Sequence, residues 1–277
     1  MNSTEQFKEN MHGTPVYFKT WTPATDVKGV IALVHGLGEH CNRYNHWAEK
    51  FVEKGWAMVG YDRSGHGQTK GKRGHVKSYD AVYQEVDLLL QSVKQQFPDK
   101  PVLLYGHSMG GNIVLNYLAH QKAGVAGAIV TGPFVRSTKP VSKVLIFIAR
   151  ILKFILPGMT QPNGLEVKDL SRDEAVVKAY IDDPLVHDKI SNVMALGLID
   201  EGKVLDQASP EFKVPVLMMH GAADGITDAK ATEELASRAK GPVTMKTWND
   251  LFHEIHNEPE QQAIFDYAWD WIGQHIS

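Results

Sequence analysis

Short, continuously apolar runs recur along the chain, and longer stretches with apolar residues at helical spacing separate most of them. The runs are VYFKTW from Val16, VIALVHG from Val30, AMVGYD from Ala57, VLLYG from Val102, AGAIVTG from Ala126, PVLMMHG from Pro215 and VTMKTW from Val243. A strand apolar on both sides has to be covered on both faces. Strands that alternate with helices join into a mostly parallel sheet, because parallel neighbours need a crossover between them. The expectation is an α/β fold with a mostly parallel central sheet covered by helices. Of the 277 residues, 43% are hydrophobic, enough to bury both faces of such a sheet.

Two helices are the most legible. In SYDAVYQEVDLLLQSVKQQFP, Val82, Val86, Leu89, Leu90, Val93 and Phe97 share a face; Ser78 or Asp80 caps the start and Pro98 closes the end. The last element, Glu258 to His275, carries Ile264, Phe265, Tyr267, Ala268, Trp269 and Ile272 as a covering helix. One segment breaks the rhythm. From Phe134 to about His187 there is no strand pattern, and the stretch is too long for an ordinary loop. Residues 134–188 are therefore expected to form a helical cap insert between two parts of one core, 1–133 and 189–277.

The net charge of −3 gives no reason to expect a nucleic-acid partner. A single cysteine, Cys41, excludes an internal disulfide and agrees with a reducing compartment. The first residues have no apolar core of an export signal, and no apolar run approaches the ~18 residues of a membrane span. The expected setting is soluble and cytoplasmic.

In VLLYGHSMGGNIVLNYLAH an apolar run ends at Ser108, held in Gly106-His107-Ser108-Met109-Gly110, and an amphipathic run follows at once. A serine here can simply cap the helix. Glycines two residues to either side also permit a sharp strand-to-helix turn that lifts the hydroxyl clear of the sheet, the setting of a serine nucleophile. Such a serine needs a base and a carboxylate to orient that base. In this fold the acid and then the histidine lie downstream, each in a loop after a strand. Asp224 follows the run at Pro215, and His253 lies between the run at Val243 and the last helix. Asp228 reads as the N-terminal residue of a helix, Asp250 as a turn residue, and His256 as the rival base. His120 and His275 read as helix-surface residues and His220 as a satisfied structural histidine. Acyl transfer also needs amides for the oxyanion, one after the nucleophile and one in an early loop. These are Met109 and, in LVHGLGEH, Leu37, where Gly36 and Gly38 permit the inward turn. No metal or cofactor is called for.

HGLGEHCNRY, YDRSGHGQTKGKRGH, GHSMGG, DPLVH, VPVLMMHGAADGIT and HEIHNEPE, in this order, resemble the successive motifs of the monoacylglycerol lipase and lysophospholipase-like branch of the α/β-hydrolase superfamily. The resemblance implies an α/β-hydrolase fold with a helical cap, hydrolysis of an acyl ester lipid, and Ser108, Asp224 and His253 as the triad. It selects His253 over His256, because the family base precedes a Glu, here Glu254. It also implies that Glu39, Arg43 and His256 lie near the polar end of the pocket, against the plainer alternative of a surface ion pair and a solvated histidine. His35 is expected to brace the oxyanion loop, Asp62 to Gly67 to form a tight turn, and Cys41 to be a bystander. The family usually has Arg-Gly-His-Gly where this chain has Arg63-Ser64-Gly65-His66-Gly67. Lysophospholipase, a general carboxylesterase and a non-catalytic binding protein are the alternatives. A peptidase is disfavoured because no acidic cluster stands out in the insert to hold a substrate ammonium.

Inside the insert, VSKVLIFIARILKFIL (Val141 to Leu156) has twelve apolar residues of sixteen, and Lys143, Arg150 and Lys153 share one narrow helical face. Pro157-Gly158 ends it. This cap helix 141–156 is expected to leave an apolar surface open for transient contact with lipid interfaces, its cations at the head groups.

Overall fold

The computed structural model describes residues 1–120 and 124–276. In chain order the elements are β1 (Asn2–Glu9), β2 (Pro15–Thr22), β3 (Val30–Val34), α1 (Asn45–Glu53), β4 (Ala57–Tyr61), α2 (Asp80–Gln96), β5 (Val102–His107), α3 (Met109–Ala119) and β6 (Gly127–Thr131). There follow α4 (Lys143–Ile155), β7 (Thr160–Pro162), α5 (Glu174–Asp182), β8 (Lys189–Ser191), α6 (Asn192–Gln207), β9 (Val216–Gly221), α7 (Ala229–Arg238), β10 (Val243–Trp248) and α8 (Gln261–His275). Eight strands make one sheet in the order β1-β2-β4-β3-β5-β6-β9-β10. β2 runs antiparallel to both its neighbours, and every other pairing is parallel.

All seven expected strands lie in this sheet, and their side chains alternate between two covered faces. Leu104, Val130 and Met218 pack with Val86, Ile113 and Leu235 from α2, α3 and α7. Leu103, Tyr105, Ile129 and Leu217 pack with Trp47, Phe51, Phe265 and Trp271 from α1 and α8. The eighth strand, β1, has no apolar period because it is a mostly exposed edge. Its backbone pairs with β2, and its Glu and Lys side chains discourage further pairing. At the start of α2, Ser78 Oγ accepts the Ala81 N–H at 3.3 Å, while Asp80 sits in the first turn.

Between β6 and α6 the chain leaves the sheet for α4, β7, α5 and β8. β7 and β8 pair antiparallel, Thr160 opposite Ser191. Three-residue strands are too short to show an alternation, so the sequence held no sign of them. No residue of α4 is buried; Phe147 is 65% and Phe154 84% exposed. The expected cation stripe is only partly free, since Arg150 turns back to pair with Asp200 of α6 at 2.6 Å. Among the described residues no helix is long and apolar enough to cross a membrane.

Candidate active site

Ser108 is the only residue between β5 and α3. Its backbone is held at φ 55°, ψ −118°, and its side chain makes no capping hydrogen bond, so the helix-cap explanation fails. A non-glycine residue there is strained, and such strain persists only where packing imposes it. The two glycines identify that packing. A Cβ on Gly110 would lie 1.9 Å from the Val34 carbonyl, and one on Gly106 would lie 2.5 Å from the Gly110 carbonyl. β3, β5 and α3 thus meet closely enough to require both, and the turn thrusts Ser108 outward.

The parallel register brings the other candidates to the same sheet edge, since β9 and β10 pair with Gly221 opposite Trp248. Asp224 follows β9. Its Oδ1 accepts the N–H groups of Ile226 at 2.7 Å and Thr227 at 2.9 Å, and its Oδ2 faces Nδ1 of His253 at 2.7 Å. Burial alone would push the Asp224 carboxyl up, but His253 and His220 hold it well below the usual carboxylate range. Burial likewise opposes charge on His253, and the Asp224 carboxylate more than offsets it, raising the imidazole above its ordinary value. Its neighbours go the other way. His107, ring centroid 4.7 Å from that of His253, is pushed down to about 3 by burial and by His253. His256 is buried and held well below its ordinary value, with no carboxylate bonded to it. Of these three histidines, only His253 is built to take up a proton.

Ser108 stands where two cavities meet. One, of about 310 Å³, is walled largely by apolar side chains including Leu37, Met109, Phe134, Leu198 and Ile226. The other is a narrow chamber of about 10 Å³ that Ser108 shares with His253, Leu37, Glu39, Tyr180 and Glu254. Leu37 and Met109, the expected oxyanion residues, both line the first beside Ser108. His35 does brace this loop, its Nδ1 facing Gly36 O at 2.8 Å and its Nε2 accepting the Arg63 N–H at 3.1 Å.

Arg63, in the expected tight turn Asp62 to Gly67, has a further role in this loop. Its buried guanidinium donates to the His35 carbonyl and, at 2.5 Å, to the Gly36 carbonyl. Across a trans peptide the Leu37 N–H points opposite to the Gly36 C=O, so this clamp fixes the direction of the expected oxyanion donor. The DPLVH motif contributes too: His40 of the loop after β3 meets Asp183 at 2.8 Å, and the His187 N–H bonds the Gly38 carbonyl at 2.9 Å.

Glu39, Arg43 and His256 are neither a surface pair nor solvated. Glu39 lines the narrow chamber, accepting the Gly36 N–H at 2.5 Å and the Tyr44 hydroxyl at 2.8 Å. Arg43 lies behind it, bridging Glu39 at 2.7 Å to Glu254. His256 is fully buried, its ring 4.8 Å from that of Tyr44 and 4.7 Å from that of His107. Cys41 is buried and free, and the expected turn at Asp250 has φ 60°. Glu166 and Asp169, three positions apart in sequence, line the large cavity. Among the described residues no group of three or more His, Cys, Asp or Glu could hold a metal ion.

Known proteins resemble this chain in sequence and in fold. A family model described as "Serine aminopeptidase, S33" matches residues 25–260. A monoacylglycerol lipase of Mycolicibacterium smegmatis is 35% identical over 95% of this chain and 95% of its own length. An uncharacterized abhydrolase domain-containing protein of Dictyostelium discoideum is 34% identical over 93% of this chain, which spans 28% of that longer protein. The crystal structure of Paleococcus ferrophilus monoacylglycerol lipase superposes with a TM-score of 0.85 at 30% identity, covering 94% of this chain and 99% of that one.

Proposed function

The chain belongs to the serine aminopeptidase, S33, family of α/β-hydrolases, and from that premise we propose that it hydrolyses monoacylglycerols to fatty acid and glycerol through an acyl-enzyme. The observation that carries the reading is the pairing of His253 with Asp224 at 2.7 Å, in a chamber that His253 shares with Ser108. Ser108 Oγ attacks the acyl carbonyl as His253 Nε2 takes its proton, and Asp224 holds the opposite ring N–H. The Leu37 and Met109 amides receive the oxyanion. Collapse of the tetrahedral intermediate expels the alcohol, which leaves with the proton from His253. Water, deprotonated by the same imidazole, then releases the fatty acid and restores Ser108.

The large, mostly apolar cavity has room for an acyl chain, and Glu39, on the wall of the narrow chamber beside Ser108, marks the polar side of the site toward which the hydroxylated head is directed. Arg43 and His256 act behind Glu39, shaping that end. Residues 134–188 serve as the cap over 1–133 and 189–277. Its exposed helix α4 touches lipid surfaces, where such a substrate partitions, and the enzyme is cytoplasmic and peripheral.

A second reading, a peptidase acting on a free amino terminus, has Glu166 and Asp169 in its favour as partners for an ammonium. One panel separates the readings: kcat/KM for a long-chain monoacylglycerol, a lysophospholipid, a short nitrophenyl ester and an aminoacyl naphthylamide. The monoacylglycerol is expected to lead. A preference for the lysophospholipid would redirect the substrate class, and a leading naphthylamide would establish the peptidase.

A further inference from the structure

Asp224 Oδ2 is shared. Besides His253 it faces His220 Nε2 at 3.0 Å and the Thr227 hydroxyl at 2.8 Å. His220 lies near the end of β9, four residues before Asp224, and is fully buried. A carboxylate only accepts, so the His220 ring proton sits on Nε2. In the singly protonated ring Nδ1 must then accept, and its partner is the hydroxyl of Thr232 on α7, at 2.9 Å and also fully buried. The chain Thr232 O–H to His220, His220 Nε2–H to Asp224, and Asp224 to His253 joins the start of α7 to the candidate base.

We propose that His220 is a positioning residue: through its Nε2–H it fixes the Asp224 carboxylate so that Oδ2 stays aimed at His253. The proposal rests on the reading of His253 as the general base. Oδ1 is held by two backbone amides, but those alone leave Oδ2 free to swing about them. The side-chain donors His220 and Thr227 prevent this, and Thr232 stops the His220 ring from turning. His220 also acts on charge. The positive end of its N–H dipole points at Oδ2, the same oxygen that His253 faces, and weakens the pull of the carboxylate on an imidazolium. The titratable groups facing His253 are Asp224, Glu254, Glu39 and His107, and those facing Asp224 are the two histidines.

The test compares His220→Gln with His220→Met, two side chains of similar length, of which only the glutamine carries an amide that can donate an N–H at the reach of Nε2. On a soluble short ester, His220→Met is expected to lose about 10- to 100-fold in kcat with KM held, the worth of a hydrogen bond to a charged group. Its acid limb in kcat/KM should move to higher pH, because the opposing dipole is gone. His220→Gln should keep kcat within a few-fold of wild type and leave the limb in place. Equal behaviour of the two variants, whether both intact or both impaired, would overturn the proposal and leave His220 a packing residue. Should either fail to fold, Thr232→Val decides: it should lose about three- to tenfold in kcat at unchanged KM, the scale of one ordinary hydrogen bond. An unaltered Thr232→Val would also overturn it. His253→Ala is the control. If that variant stayed active, the reading of the base would fall instead, independently of His220.

Discussion

Arg43 and Glu254 meet side by side, Nη1 to Oε1 at 2.6 Å and Nη2 to Oε2 at 2.7 Å. The pair ties the loop after β3 to the loop after β10 one residue from His253, and Arg43 also reaches Glu39. Burial would push the Glu254 carboxyl up, but the Arg43 guanidinium holds it well below the usual carboxylate range.

Removing the guanidinium strands two buried carboxylates. Arg43→Gln is expected to destabilise the fold by about 3–5 kcal/mol, as for a buried pair stripped of one partner. The double variant with Glu254→Gln should recover part of that loss, and urea unfolding of wild type, both single variants and the double measures the coupling. Lys at position 43 should fall between, since one ammonium cannot reach both oxygens.

The strain at Ser108 predicts a gain in stability at the expense of activity. Glycine adopts φ 55°, ψ −118° freely. Ser108→Gly should therefore unfold about 1 kcal/mol later than Ser108→Ala, which keeps the strained Cβ. Thermal unfolding of the two inactive variants is the check. Equal midpoints would mean that the turn relaxes around alanine.

His253 sets the pH dependence. Its folded value lies above that of free imidazole because of Asp224, and it must be neutral to accept the Ser108 proton. Hydrolysis should therefore rise with pH along a limb centred above 6.5. In Asp224→Asn the burial penalty remains while the largest opposing charge is lost and only the weaker ones of Glu254 and Glu39 remain, so the limb should move to lower pH in a variant about 10⁴-fold slower. The stability contributed by the raised histidine is present below its unfolded value and is lost as pH climbs through the folded one. That of the depressed Asp224 carboxyl is present above its unfolded value and is lost only in strong acid. The ion pair thus stabilises most between these limits.

The strands of the core and the turn at Ser108 were legible because each depends on local chemistry, whereas His253 was separated from its rival His256 only by the family resemblance. Runs such as VIALVHG state that both faces are covered, and a serine between Gly106 and Gly110 states that the backbone must turn in a crowded place. What escaped were relations between distant residues. Arg63 clamps the carbonyls of His35 and Gly36, some 28 and 27 positions away, and nothing around Asp62-Arg63-Ser64 shows it. Asp169 and Glu166 line the same cavity as Ser108, about 60 positions away in the chain. Helical spacing places Arg150 on the cationic stripe but cannot reveal the Asp200 carboxylate opposite it.

Helix α4 predicts lipid contact. Val144, Phe147 and Phe154 are exposed, and Lys143 and Lys153 carry charge on the same helix. Phe147→Ser with Phe154→Ser should weaken sedimentation with vesicles containing anionic lipid. It should slow hydrolysis of long acyl chains several-fold more than that of short soluble esters. Equal losses on both substrates, together with no vesicle binding by wild type, would return α4 to an ordinary solvated cap helix.

The central claim, that Ser108 is the nucleophile served by His253 and Asp224, is tested most directly by peptide-level mass spectrometry after reaction with a fluorophosphonate. The expected result is one adduct per chain, on Ser108, formed rapidly by wild type and far more slowly by His253→Ala. A dominant adduct on any other residue, or a Ser108→Ala variant that keeps a tenth of the ester hydrolysis, would contradict it.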